Sequence, residues 1–381
     1  GNMRRMLSAI LALLLLTGTG VAEVSGNLLG LRLLADMTDG TQNAAISPLS
    51  LQMALSLARE GAAGETREEL DGLLEGEKID LAALLNNARY ADAYAYEGAD
   101  AVAPGLQYAN AGFAARECEI LPEYKARVDA EWFPLDESPE NINAWVKEQT
   151  NGRIEELFHG PLPQDTALCL VNALSMEAKW AHPFPEDSTY QDTFLTANGE
   201  TEANFMYTEH DFHYGERDGA QIVRLPYEGT TLSMYVVLPE ADGVPAALDA
   251  IEQEGMAYFA EMDCGPEVHL SLPKFSIAYG GSLMDGLRAQ GLEIAAGGNA
   301  DFSAMGANMP LYISNILQNV RIDVDEQGAS AAAVTALLLC GASMPMEQPE
   351  FVEMKVDRPF IFIIADGESG AIAFAAVVAE V

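Results

Sequence analysis

The chain has 381 residues, and its 20 lysines and arginines against 58 aspartates and glutamates give a net charge of −38 with neutral histidines. Nucleic acids and anionic membranes bind through clustered cations, so this balance disfavours both as partners. A hydrophobic fraction of 49% with only 20% charged residues is typical of a protein with a large core, and it excludes an acidic disordered chain.

The first segment, residues 1–22, is predicted to hold a secretory signal peptide. Two extra residues precede Met3, two arginines follow it, and an apolar run to Leu16 leads into a small-residue cleavage site after Ala22. The run is shorter than the roughly 20 residues of a membrane-spanning helix. We therefore expect secretion without stable membrane insertion. No linker or charge block divides residues 23–381, which we expect to form a single domain.

The remaining elements follow in chain order. Apolar residues recur at helical spacing over 27–37, Ser47 with the proline after it begins a second helix, Thr66 is expected to cap a third, and a fourth covers 138–158. The predicted strands are 44–46, 106–114, 167–180, 221–227, 231–239, 268–277, 319–326, 360–364 and 371–378, with helices near 245–262 and 281–290. Helices first and strands later predict an α+β fold with several antiparallel or mixed sheets.

Motifs for enzyme chemistry are missing from the sequence. There is no nucleophile elbow, zinc-protease helix, phosphate-binding loop or dinucleotide fingerprint, and no cofactor is predicted. Four cysteines, at 118, 169, 264 and 340, form no CxxC pair. His210 and His213 have the spacing of some metal sites and are the one support for an enzyme, but no third ligand is suggested, so we predict no metal site.

One connection is unusual. More than thirty residues separate the strands that end at Glu326 and begin at Phe360, and loops longer than about 15 residues are usually functional or disordered. From Gly328 to Ala342 it carries no charge. Such a run can enter a sheet as a new strand, where burying its four large side chains contributes on the order of 6 to 12 kcal/mol. Its alanines equally favour a helix packed on the core.

Several separated segments, taken together, resemble the serpin family. They are residues 43–70, 171–194, 225–239, 272–277, 299–305, 324–336 and 357–362. The resemblance implies three β-sheets, eight or nine helices and an exposed reactive-centre loop, here about 328–350. It also implies inhibition by a suicide mechanism. A serine protease cleaves the loop, stays attached as an acyl-enzyme, and is distorted when the loop inserts into the main sheet.

The resemblance assigns roles to polar residues around that sheet. Glu326 matches the acidic residue before the loop, Lys274 its salt-bridge partner, and Trp180 lies at the breach, where insertion begins. Simple helix capping is the alternative role for the serines of the shutter, the region beneath the breach. Gln318 stands where the family has a histidine, so this network must be built differently. The shutter residues are Ser47, Ser50, Asn172 and Gln318.

The hinge of the loop favours an inhibitor. Gly328 matches the family's hinge glycine, and Ala329 replaces the usual threonine or serine. Large or charged residues in the hinge generally mark non-inhibitory members, which act as carriers or interaction proteins and form the alternative reading. The hinge residues after Gly328 are all small or uncharged: Ala329, Ser330, Ala331, Ala332, Ala333, Val334 and Thr335.

Counting the family's usual seventeen residues from Glu326 reaches Ala342, so the resemblance places the reactive bond at Ala342–Ser343, with Leu339 and Met344 as alternative specificity residues. No Arg or Lys occurs between 328 and 354, which disfavours trypsin-like targets. We expect an elastase-like or subtilisin-like serine protease as the partner of a monomeric inhibitor. Cys340 is either a passive small side chain or an oxidisable thiol.

Overall fold

The structure is a computed structural model that describes residues 26–75, 84, 105–136, 138–150, 152, 154–264, 266–329 and 351–381. The predicted signal peptide lies outside the described residues. So do Ser330 to Thr335 of the hinge, Cys340, the Ala342–Ser343 bond and both alternative specificity residues, Leu339 and Met344.

The described residues contain seven α-helices, against the eight or nine implied for the whole chain. They are α1 Asn27–Met37, α2 Pro48–Gly61, α3 Gly64–Leu73, α4 Pro122–Lys125, α5 Glu140–Gln149, α6 Val244–Glu254 and α7 Met284–Ala289. Two short 3-10 helices cover Glu186–Ser188 and Gly255–Phe259. No described helix combines the length and apolarity that crossing a membrane requires.

Two helix boundaries differ from the sequence prediction. Helix α3 begins at Gly64, so Thr66 is not its N-cap; its buried hydroxyl accepts a hydrogen bond from Asp301 N–H at 2.8 Å. Helix α5 ends at Gln149 instead of continuing to 158. The Asn143 side chain accepts hydrogen bonds from the backbone N–H groups of Leu157 and Phe158, which folds that segment back against the helix.

The strands form three large sheets, which confirms the α+β prediction, and one small sheet. The strands are β1 Ala44–Ile46, β2 Gly105–Ala114, β3 Glu119–Ile120, β4 Glu131–Pro134, β5 Leu168–Lys179, β6 Tyr190–Thr196, β7 Gly199–His210, β8 His213–Arg217, β9 Ala220–Pro226, β10 Leu232–Leu238, β11 Asp263–Cys264, β12 Glu267–Pro273, β13 Phe275–Ser282, β14 Gly306–Ala307, β15 Ile313–Val324, β16 Gly328–Ala329, β17 Phe351–Lys355, β18 Phe360–Asp366 and β19 Ile372–Val378. The predicted strand over 268–277 is divided at Lys274 between two sheets.

Each large sheet has a distinct strand order. The six-stranded sheet runs β13-β15-β5-β2-β4, with β16 added beside β5. The seven-stranded sheet runs β1-β19-β18-β10-β9-β8-β11, and the four-stranded sheet runs β17-β12-β7-β6. Strands β3 and β14 form the small sheet.

The seven-stranded sheet lies in the middle of the core because its central strands are apolar on both faces. Along β18, Phe362 and Ile364 belong to one hydrophobic cluster, together with residues of the six-stranded sheet such as Met176. Ile361 and Ile363 point to the other face and join a cluster with helices α1 and α6. Alternation of side chains along a strand produces this division. The six-stranded sheet therefore packs on an apolar layer formed by the seven-stranded sheet.

Candidate functional site

The centre of the six-stranded sheet is only partly closed. Strand β15 pairs in parallel with β5 over Leu168–Val171, where the register ends at Leu317 opposite Val171. Beyond that point β15 remains paired with β13 up to Val324, and β5 remains paired with β2 up to Glu177. Between Asn172 and Glu177, no described strand pairs with β5 on its β15 side. The two central strands therefore diverge toward the end at which β5 terminates.

The chain turns into this opening directly after β15. Asp325 N–H donates to Gly328 O, and the Asp325 carboxylate accepts hydrogen bonds from the backbone N–H groups of Gln327 and Gly328. Gly328 and Ala329 then pair antiparallel with Lys179 and Ala178 of β5. The hinge therefore begins as a two-residue strand at the mouth of the opening.

Only glycine fits at position 328. Its φ is +130°, and a Cβ there would lie 2.5 Å from Ala178 O and 2.6 Å from Lys179 Cα. Both contacts are with backbone, which cannot rotate away, and other residues rarely adopt this φ. The glycine therefore lets the chain reverse direction in contact with β5.

Glu326 is fixed at the turn. It is 8% exposed, and its carboxylate accepts hydrogen bonds from Lys274 Nζ and Thr189 Oγ1, both at 2.8 Å. Its backbone O accepts one from Phe184 N–H at 2.9 Å. Burial raises the pKa of Glu326, but the hydrogen bonds from Lys274 and Thr189 outweigh it, so the pKa lies below its ordinary value of 4.5. The carboxylate is thus held charged, and it ties the turn to neighbouring segments.

Trp180 holds the same turn from the end of β5. Its backbone N–H donates to Gln327 O at 3.0 Å, and its indole Nε1 donates to Asp325 O at 3.0 Å. The indole is 2% exposed and stacks on Tyr227, with ring centroids 4.7 Å apart and planes 13° apart. A side chain with this large a buried area anchors the turn that precedes β16.

A second polar network lies deeper, where helix α2 meets the sheet. Ser47 caps α2 by accepting from Ser50 N–H at 3.0 Å. The Gln318 amide of β15 accepts from Ser47 N–H at 2.7 Å and donates to Ser47 O at 2.8 Å. Ser50 Oγ donates to Asn172 of β5, whose own amide donates to Asn110 Oδ1 of β2 at 2.6 Å. Buried hydrogen bonds therefore link β15 to β5 through α2 and its cap, and link β5 to β2 directly.

The structure brings the breach and shutter residues named from the sequence into these two clusters. Trp180, Lys274 and Glu326 meet at the breach, and the shutter residues form the deeper chain. Ser47 caps its helix and binds Gln318 as well, whereas Ser50 does not cap. Asn110 and Thr189 were missed, because one polar residue in an apolar strand or a turn carries no pattern. The functional roles of the breach and shutter residues stay predictions.

The two histidines considered for a metal site have other neighbours. The His210 ring lies against His182, with centroids 3.7 Å apart, and His213 lies 3.2 Å from Cys264 Sγ. Burial, and then the neighbouring His210, lower the pKa of His182. Among the described residues, neither His210 nor His213 belongs to a group of three potential ligands.

Comparison with known proteins agrees with this geometry. Residues 25–381 match the family model described as "Serpin (serine protease inhibitor)". The chain is 32% identical to an uncharacterized serpin-like protein of Thermococcus kodakarensis over 89% of this chain and 81% of the relative. It is 30% identical to a serine protease inhibitor of Cyanea capillata over 87% of this chain and 91% of the relative.

A solved structure supports the same assignment. The native state of tengpin, a thermophilic serpin, superposes with a TM-score of 0.77 at 26% identity, covering 93% of each chain. Sequence motifs, family model, relatives and fold agree over almost the entire length. This chain belongs to the serpin family, whose members are generally inhibitors of serine proteases and not catalysts.

Proposed function

We propose that this chain is a secreted, monomeric suicide-substrate inhibitor, with residues 23–381 as its single domain. In the proposed reaction the protease serine attacks the carbonyl carbon of Ala342 and forms an acyl-enzyme. The Ala342–Ser343 bond breaks, and the Ser343 amine leaves with the released proton. Insertion of the freed hinge into the six-stranded sheet would then carry the protease away from its working geometry.

The observation that carries the proposal is the pairing of Gly328 and Ala329 with β5. These residues occupy the mouth of the opening between β5 and β15 and run antiparallel to both strands. If the residues that follow Ala329 extended this strand between β5 and β15, the chain would not need to change direction. It would gain ladder hydrogen bonds to backbone groups on both sides.

Continuing this register predicts which hinge residues would face the core. With Ala329 opposite Ala178, Ala333 comes opposite Leu174 and Thr335 opposite Asn172. Leu174 and Ala178 face the main hydrophobic cluster, and directly paired residues share a face of the sheet. Each residue proposed to face inward is uncharged, so no charge would be buried on insertion. The inward set is Ala329, Ala331, Ala333, Thr335, Leu337 and Leu339.

Specificity is inferred from the residue before the cleaved bond. Ala342 is small, and the uninterrupted absence of Arg and Lys from 328 to 354 removes the residue that a trypsin-like pocket binds. We therefore infer an elastase-like or subtilisin-like target.

The test is incubation of the purified protein with an elastase and with a subtilisin. We expect a covalent complex that survives denaturing electrophoresis and a released peptide, seen by mass spectrometry, that begins at Ser343. A peptide beginning at Cys340 or Pro345 would move the bond to Leu339 or Met344.

A pair of variants separates trapping from ordinary cleavage. Thr335→Arg would place a guanidinium opposite buried Asn172, so insertion should stop and the protease should be released active. Ser330→Arg, opposite half-exposed Glu177, is the matched control and should still trap. If the unmodified protein is cleaved and leaves the protease fully active, the inhibitor proposal fails and a carrier or interaction role replaces it.

A further inference from the structure

Three potential metal ligands meet on the outer face of the four-stranded sheet, away from the breach. Strands β7 and β12 are antiparallel neighbours there, and Glu209 lies directly opposite His269. Glu267 precedes His269 by two residues and therefore shares its face. One donor atom from each of the three side chains lies within 4.8 Å of the others, and Glu267 Oε1 is 3.0 Å from His269 Nε2.

The neighbours of this triad hold it in place. The Phe351 ring of β17 stacks on the His269 imidazole, with centroids 4.4 Å apart and planes 14° apart. Tyr207 OH donates to Glu209 Oε1 at 2.7 Å. Aromatic packing restricts the rotation of the imidazole, and a hydrogen bond outside the donor set orients a carboxylate.

A third carboxylate stands on the other side of the imidazole. Glu353 of β17 is the parallel neighbour of His269, and its side chain is exposed. His269 thus lies between Glu209 and Glu353 on its two flanking strands, with Glu267 on its own strand. Carboxylates so placed repel one another, and a bound cation would relieve the repulsion.

We propose that Glu209, Glu267 and His269 form a zinc-binding site, and this inference goes beyond inhibition of proteases. One imidazole nitrogen and two carboxylate oxygens are ligands that Zn²⁺ accepts, with water completing its usual four positions. Calcium and magnesium prefer all-oxygen sites, so the nitrogen ligand selects against them. Bonds of about 2.0 to 2.2 Å require the donors to approach each other more closely. Small rotations of the two glutamate side chains, within the reach of the Tyr207 hydrogen bond, provide that movement.

The experiment uses the full chain, stripped with a chelator, dialysed and titrated with ZnCl2 by calorimetry and by thermal unfolding. We expect one Zn²⁺ per chain at this site and a rise in Tm, because the unfolded chain does not hold the triad together. Replacing ZnCl2 with MgCl2 should give no such rise.

Matched variants locate the site. His269→Gln and Glu209→Gln should each lower zinc affinity by at least about tenfold and reduce the rise in Tm, while leaving the metal-free Tm near that of the parent. His159→Gln is the control, because His159 is 79% exposed and lies 3.2 Å from a single carboxylate, Glu156. Its zinc affinity should not change.

Two results would overturn the proposal. The first is no zinc binding, or zinc binding that His269→Gln leaves at full strength. The second is binding that is lost in Cys264→Ser and kept in both triad variants, which would place the ion at Cys264 and His213 instead. Activity against a protease is not part of either readout, so failure of the zinc site and failure of the proposed inhibition are distinguishable.

Discussion

Replacing Gly328 with alanine tests whether the hinge must approach β5 as closely as the structure places it. The new Cβ would lie 2.5 Å from Ala178 O and 2.7 Å from Trp180 N, and φ of +130° is unfavourable for alanine. The variant has two ways to respond. It can keep the turn and bear the strain, or release β16 from β5.

The two responses have similar magnitudes. Backbone strain at a residue held in such a conformation costs about 1 to 3 kcal/mol. Releasing β16 loses its pairing with Lys179 and Ala178 and weakens the bond from Trp180 N–H to Gln327 O. At about 0.5 to 1.5 kcal/mol for each hydrogen bond, two or three bonds amount to about 1 to 4.5 kcal/mol. We therefore expect a loss of stability of about 1 to 3 kcal/mol, and release of β16 would add a loss of hydrogen-exchange protection at the Trp180 amide.

Gly72→Ala provides the control for this measurement. Gly72 lies in α3, and apart from its two chain neighbours and the backbone of its own helix no atom is within 4 Å of a Cβ built there. Alanine in a helix should stabilise by about 0.5 to 1 kcal/mol. Unfolding in urea and hydrogen exchange by mass spectrometry compare the variants. Parental stability together with full protection at Trp180 in Gly328→Ala would show that the close approach of the hinge is wrong.

Two further predictions concern titratable groups. Because the pKa of Glu326 is lowered, its carboxylate stabilises the fold above pH 4.5, and this contribution is lost as the pH falls through the native pKa. Glu326→Gln should lower stability by about 1 to 2 kcal/mol at neutral pH. The variant should also lose less stability in acid than the parent, as measured by unfolding at a series of pH values. An unchanged dependence of stability on acid pH would contradict this. Burial raises the pKa of Cys169 to about 12, so alkylation of the native protein at mildly basic pH should modify exposed Cys264 and leave Cys169 unmodified, as peptide mass spectrometry would show. Modification of Cys169 before unfolding would contradict its burial.

The sequence predicts the apolar elements of this fold well. The helix predicted over 27–37 is α1, and the continuous apolar runs correspond to β5, β10, β18 and β19. Long runs buried on both faces leave a strong signal in composition. Strands β6, β7 and β8 were not predicted. They carry many exposed polar residues, so their alternation is hidden in the sequence.

The candidate site is predicted unevenly for a physical reason. Family motifs located Trp180 and Glu326, although Asp325 lies 145 residues from Trp180 and Thr189 lies 137 residues from Glu326. The geometry at Gln318 could not be predicted, because the partners of its amide come from Ser47, which lies 271 residues away in the chain. Hydrogen bonds between distant segments depend on the completed fold, and no local pattern encodes them.

If the proposed insertion takes place, the hydrogen bonds of the shutter residues decide which contacts break first. The proposal requires β5 and β15 to separate, and α2 with its cap Ser47 is hydrogen-bonded to both. The hydrogen bonds to β5 all run through Asn172, which accepts from Ser50 Oγ and donates a long 3.9 Å bond to Met53 Sδ. Strand β15 is held by two shorter bonds, at 2.7 and 2.8 Å, between Ser47 and the Gln318 amide. We therefore expect α2 to remain with β15 when the sheet opens.

This expectation predicts unequal effects of two variants. Gln318→Ala removes two hydrogen bonds and leaves the buried N–H of Ser47 without a partner, while Ser47 O keeps its bond from Leu51 N–H. An unsatisfied buried N–H costs about 1 to 3 kcal/mol and the second lost bond about 1 kcal/mol, so we expect a loss of about 2 to 4 kcal/mol. Ser50→Ala removes one hydrogen bond and leaves Asn172 Oδ1 without that donor, while the Asn172 amide keeps its bond to Asn110, so about 1 to 2 kcal/mol is lost. Urea unfolding measures both losses, and the rate of complex formation with a protease measures opening. The expectation is wrong if Ser50→Ala costs as much stability as Gln318→Ala and does not speed complex formation. The attachment of α2 to β5 would then be as strong as its attachment to β15.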